Sequence, residues 1–204
     1  MAELDTLRAD SPPGGHGYHR HMDVEYDEKK FTELLVLVAE RLADDHAGGA
    51  TKLNKLLYFA DFTHFRRTGQ PITGAAYQKL ANGPAPRRLL PVRSRLIESG
   101  EIELEERDFL GYKQHRLVTK RRADVSVFSH DELTTIDDVF ADLVGMNGRE
   151  VSDLSHEEAG WRLTEEGETI PYEAALIPRQ QPLTPTALRQ AEAVAARYDV
   201  TAGD

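Results

Sequence analysis

Thr51-Lys52-Leu53-Asn54-Lys55-Leu56-Leu57-Tyr58-Phe59-Ala60-Asp61-Phe62-Thr63-His64-Phe65-Arg66-Arg67 is apolar on most sides when wound as a helix, and Gly69 closes it. Leu53, Leu56, Leu57 and Ala60 form one stripe. Tyr58, Phe59, Phe62 and Phe65 cover much of the rest. A helix with this little polar surface belongs in the middle of a domain. Its polar residues are therefore the informative ones. At 100° per residue Lys52, Lys55, Phe59, Phe62 and Arg66 share one edge, and Asn54, Tyr58, Asp61 and Phe65 another.

Working outward, Asp27 is a candidate N-cap for a preceding helix. That helix carries Phe31, Leu34, Leu35, Val38 and Leu42 on one face and ends at Gly48-Gly49. Downstream, Ala75–Leu80 reads as a short extended piece broken by Asn82-Gly83-Pro84, with Pro84 suited to a first helical turn. A basic helix follows over 87–98, with Leu89, Leu90, Leu96 and Ile97 inward; Pro91 argues for a kink or a start near Val92. Glu101–Glu106 and Tyr112–Val118 alternate around a turn and predict a β-hairpin, with Val125–Phe128 as a third extended piece. Ser129 with Glu132 predicts a capping box for an acidic helix burying Leu133, Ile136, Val139, Phe140 and Leu143, ended by Asn147-Gly148. Ser155 with Glu158 predicts a second box, opening a short helix that holds Trp161, and Ile170–Tyr172 reads as extended.

The sum is a mainly α, compact single domain with a small antiparallel β-hairpin, α+β in loose terms. It spans 23–178, between a flexible N-terminal tail (1–22) and a C-terminal linker and helix (179–204), the helix at Ala187–Tyr198. His16, His19 and His21 cluster in the tail, but a glycine-flanked segment supplies no fixed metal geometry.

Composition narrows the function. The 204 residues contain no cysteine, which removes disulfide scaffolds, thiolate metal sites and cysteine nucleophiles. No apolar run reaches the ~18 residues a membrane span needs, and the N-terminus lacks a signal peptide's basic start and apolar core. The expectation is a soluble cytoplasmic protein without a membrane partner. The net charge of −10 is uneven. Residues 51–122 hold 15 basic against 7 acidic side chains (+8), and 131–173 hold 13 acidic against 2 basic (−11). Either the two parts neutralise each other or they offer surfaces to different partners.

Phosphate-binding glycine loops, a HExxH metal pair and a GxSxG elbow are all absent. Ser155 and His156 are adjacent, which does not place the imidazole on that hydroxyl. Asp61 and His64 could share a metal or form a surface pair. No catalytic residue, cofactor or metal is assigned, and the chain is not expected to be an enzyme.

Three segments, taken together, resemble the Panacea domain of the SocA-like antitoxin and phage-associated protein family. They are Thr51–Asp61, Asn82-Gly83-Pro84, and Leu154-Ser155-His156 followed by Trp161. The resemblance implies a helical domain carrying a hairpin. It also implies the antitoxin half of a two-gene toxin–antitoxin system, neutralising a toxin encoded by the adjacent gene through direct binding, with some relatives delivering the toxin to a protease. Lys52, Lys55, Phe59, Arg66, Arg87 and Arg88 are the candidate toxin contacts, although the two lysines also read as solvated residues at a helix start. Leu53, Leu56, Tyr58, Asp61, Gly83, Pro84, Ser155, His156 and Trp161 read as structural, with Tyr58 and Asp61 as an internal pair and His156 with Trp161 as a packed corner. A homo-oligomer is a further expected form. The alternative is a winged-helix-like DNA-binding regulator of its own operon. It would use Arg87, Arg88, Arg93 and Arg95 with the hairpin residues Lys113, His115 and Arg116, beside Lys120-Arg121-Arg122.

Overall fold

The computed structural model describes residues 24–109 and 111–178. The N-terminal tail with its three histidines and the C-terminal linker and helix lie outside the described residues.

The aromatic-rich stretch forms α2 (Ala50–Thr68), closed by Gly69 in the left-handed conformation at φ +79°. Twelve of its residues are buried. The other elements surround it. α1 (Glu28–Arg41) starts on Asp27, whose carboxylate accepts the Lys30 amide at 2.9 Å. It ends at Leu42, well before Gly48-Gly49. The guanidinium of Arg116 supplies the reason, because it donates to the carbonyls of Leu42 and Ala43. Those are acceptors that a finished helix leaves open.

β1 (Tyr77–Gln78) pairs antiparallel with β2 (Ala85–Pro86) on one side and β5 (Thr169–Ile170) on the other. Pro84 therefore leads into a strand, not a helix. α3 (Leu89–Glu98) accommodates Pro91 in its first turn. Its buried residues are Val92 and Leu96. The expected inward positions Leu90 and Ile97 face out.

The hairpin is longer than the alternation suggested. β3 (Ile102–Phe109) pairs with β4 (Tyr112–Thr119) from Ile102↔Thr119 onward. The third extended piece is instead a 3-10 turn at Val125–Val127, set by the Asp124 carboxylate accepting the Ser126 amide at 3.1 Å.

α4 (His130–Leu143) carries the expected capping box of Ser129 and Glu132. Asn147 opens α5 (Gly148–His156) rather than closing α4, and makes its own box with Glu150. Ser155 then falls in the last turn of α5, so the second box forms eight residues earlier than expected. α6 (Ala159–Leu163) follows, with no side-chain cap, and a 3-10 turn at Tyr172–Leu176 completes the shell. No helix among the described residues is long and apolar enough to cross a membrane.

The uneven charge resolves mainly into local pairs. Arg66–Glu158 (2.9 Å) and Arg67–Asp138 (2.7 Å) join the basic segment to the acidic one. The hairpin's cations pair elsewhere: Lys113 with Glu106 and Asp108, Lys120 with Glu103, Arg121 with Glu33 and Glu101, and Arg122 with Glu40. On α3, Arg95 meets Glu28 at 2.5 Å, and the Arg88 guanidinium lies over the Tyr26 ring. Arg116 is buried. The surface that the DNA-binding reading needed is largely occupied by partners within the chain.

Candidate functional site

The three segments that carry the resemblance converge on one corner. α2 brings Lys55, the turn after β1 brings Gly83 and Pro84, and α5 brings Ser155 and His156. Lys55 is 2% exposed, and its ammonium donates to the Pro84 carbonyl at 3.1 Å. Burial lowers its pKa to about 8. Gly83 sits at φ +91°, where a Cβ would lie 2.5 Å from Lys55 Cε and 2.5 Å from Ser155 Oγ. The Ser155 hydroxyl is fully buried and donates to the Ser152 carbonyl at 2.6 Å, so it faces no substrate. His156 stacks on Trp161 with centroids 4.0 Å apart, and the indole N–H donates to the Leu80 carbonyl at 3.1 Å. Burial, reinforced by the Lys55 charge, lowers the His156 pKa. The packed corner is present, but the Nε2 of His156 is buried without a hydrogen-bond partner, where a backbone or carboxylate partner was expected.

Beside this corner opens a cleft of about 820 Å³. One wall is the start of α2, from Gly49 to Lys52. The opposite wall is the start of α5 with Arg149, Ser152, Asp153 and His156. The hairpin residues Lys113, Gln114 and His115 and the turn residue Asn82 complete it. Gly49 lets the hairpin approach this closely, since a Cβ there would lie 2.6 Å from Gln114 Cγ. α2 has no side-chain cap and no acidic residue in its first turn. Its free amides, with Arg149 and His115 exposed at the cleft, offer donors to an acidic group of a partner.

Sequence reasoning placed six contacts, and the structure redistributes them. Lys52 is 1% exposed and donates to Asp45 (2.7 Å) and to the carbonyls of Met146 (2.6 Å) and Val144 (3.3 Å). It fastens α2 to the α4–α5 connection, so neither its head nor that of Lys55 is presented to a partner. Phe59 is buried as well. Arg66 donates to the Ala175 carbonyl at 2.8 Å and pairs with Glu158, tying α2 to the last turn. Arg87 is exposed and binds the Gly167 carbonyl and Thr169. Arg88 is exposed at the N-cap of α3 and is not among the residues that line the cleft.

Asp61 is fully buried. It accepts the Thr73 amide (2.7 Å), the Thr73 hydroxyl (2.5 Å) and the Tyr77 hydroxyl (2.7 Å). The internal pair expected with Tyr58 is thus replaced by two residues of the following connection. Tyr58 instead stacks among Phe59, Phe62 and Tyr77. His64 contacts Thr135 at 3.1 Å and shares nothing with Asp61. Among the described residues no cluster of three metal-ligating side chains occurs. Leu53 and Leu56 are core residues.

Residues 53–162 match the family described as Antitoxin SocA-like, Panacea domain, over just more than half of the chain. The chain belongs to this family. No curated protein and no solved structure matches it. The matched span runs through α2, the hairpin and the His156–Trp161 corner. In this Panacea domain the family-like residues build a buried junction, and the open cleft lies against it.

The burial of Lys52 leads to a measurable outcome. Lys52→Met should lose about 2–4 kcal/mol of stability in denaturant titration, because the Met146 and Val144 carbonyls and Asp45 lose their donor. Unchanged stability would mean that water replaces the ammonium and that the junction is open.

Proposed function

We propose that this chain is the antitoxin of a two-gene pair and neutralises the toxin encoded beside it by direct protein–protein contact at the cleft. Membership of the SocA-like antitoxin family is the observation that carries this reading. The cleft supports its location, since it adjoins the corner where the family segments meet and presents exposed Arg149 and His115. A masking interface needs about 800 Å² per partner, so contact must extend from the cleft across the rims of α5 and the hairpin. Delivery of the bound toxin to a protease is compatible with the same contact.

The test is co-expression. The neighbouring gene should arrest growth alone and be harmless with this chain. A double variant, His115→Glu with Arg149→Glu, puts negative charge at two exposed cleft residues. It should weaken toxin capture about tenfold or more while leaving the melting temperature unchanged. A neighbouring gene that is harmless on its own overturns the reading. Full capture by the folded double variant moves the interface off the cleft.

A further inference from the structure

We propose, building on the antitoxin reading, that the toxin is held by an extended acidic segment that adds as a third strand along the free edge of β4, in the cleft. The pairing of β3 with β4 decides which backbone groups are free. The Lys120 amide donates to the Glu101 carbonyl at 2.8 Å, and the strands pair without a break from Ile102↔Thr119 to Phe109↔Tyr112. In an antiparallel ladder, hydrogen-bonded and non-bonded pairs alternate. From the Glu101–Lys120 level onward, Glu103↔Val118, Glu105↔Arg116 and Arg107↔Gln114 are therefore the bonded pairs. Glu106↔His115 and Asp108↔Lys113 are the open ones, so His115 and Lys113 turn their amides and carbonyls away from β3.

These two residues line the cleft, and both are exposed. Nothing among the described residues takes up their outward backbone groups. Two amides and two carbonyls, spread over about 7 Å of strand edge, are a template on which an extended peptide adds.

Charge selects the occupant. Gln114, between the two edge residues, lies against Gly49 and so brings the edge beside the start of α2. There the amides of Ala50, Thr51 and Lys52 have no acceptor among the described residues. Arg149 and His115 are exposed at the same cleft, and Asp153 is the single carboxylate lining it. A strand that carries a carboxylate side chain answers these donors. Other edges fit such a strand poorly. β3 bears Glu103, Glu105, Glu106 and Asp108, which repel it, and β2 ends in Pro86, which has no amide to offer.

Amide exchange tests this, on the complex of the full chain with a non-toxic variant of the neighbouring gene's product. In the free chain the Lys113 and His115 amides should exchange fast, and those of Gln114 and Arg116 slowly. In the complex Lys113 and His115 should slow at least about tenfold, together with alternate amides of one toxin segment that holds an Asp or Glu. His115→Pro removes an outward amide without removing a bond to β3, and should weaken capture at least about tenfold. Glu106→Pro makes the same change at the same level of the opposite edge and should leave capture within about twofold. A complex in which Lys113 and His115 keep their free rates overturns the strand addition and leaves the antitoxin reading standing. Equal capture by the two proline variants does the same. Full capture after every carboxylate of the protected toxin segment is neutralised overturns the acidic partner. Protection in the chain alone that grows with its concentration gives the edge to a second copy and overturns the proposal. A neighbouring product that forms no complex overturns both readings.

Discussion

Asp61→Ala is expected to cost about 3–5 kcal/mol of folding stability, since the Thr73 amide and hydroxyl would be left buried without an acceptor. Tyr77 would keep the Leu57 carbonyl, 2.8 Å from its hydroxyl. The loss would act on architecture. Asp61 holds the 69–77 connection onto α2, and that connection leads into β1, on which β2 and β5 pair. Asp61→Asn separates charge from shape. Burial raises the Asp61 pKa from 3.8 to about 6, against the opposing effect of its hydrogen bonds. The folded chain therefore holds a proton there that the unfolded chain releases between those values. The contribution is fully present below about pH 3.8 and is lost as pH rises through 6. The unaltered protein should gain roughly 2 kcal/mol relative to Asp61→Asn between pH 7 and pH 4. Chemical denaturation of both at several pH values reads this difference. A flat difference would show that the native carboxylate is as acidic as the unfolded one.

What the sequence made legible follows from where its signals are local. α1, α2 and α4 were read from periodicity with a side-chain cap or a terminal glycine, and these devices act within one turn. The hairpin was read from alternation, although its length was not, because the charged residues Arg107 and Asp108 continue β3 on exposed positions past the expected end at Glu106. The α5–α6 region went astray because Asn147-x-x-Glu150 and Ser155-x-x-Glu158 both satisfy the cap pattern. Packing chose the first, and Ser155 went inside, where it bonds to Ser152. The site was misjudged for a related reason. Lysine is usually exposed, so Lys52 and Lys55 were read as surface contacts. Their burial was nevertheless implied, since a helix apolar on most sides takes its polar residues inward with it. The cleft itself had no sequence signal, because Arg149, His115 and Asn82 are far apart along the chain and meet only through the fold.

Gly83→Ala is expected to be the most damaging single methyl group in the corner. At φ +91° an alanine costs about 1–2 kcal/mol from the backbone alone, and its Cβ would add about 1–3 kcal/mol by overpacking against Lys55 and Ser155. The neighbours have little room to move. Lys55 is held by the Pro84 carbonyl, and Ser155 by Ser152. This collision separates into its parts. In a Lys55→Ala, Ser155→Ala background the clashing atoms are gone, so the penalty of Gly83→Ala should fall to its backbone share. The non-additivity measures the packing of glycine against lysine and serine, with a coupling of about 1–3 kcal/mol. Denaturant titration of the unaltered protein and the three variants gives it directly. If the penalty stays the same in that background, Gly83 is required by its backbone conformation only. If it falls, the three residues form one interlocked unit, and their joint appearance in the sequence reports packing at the back of the cleft and not contact with a partner.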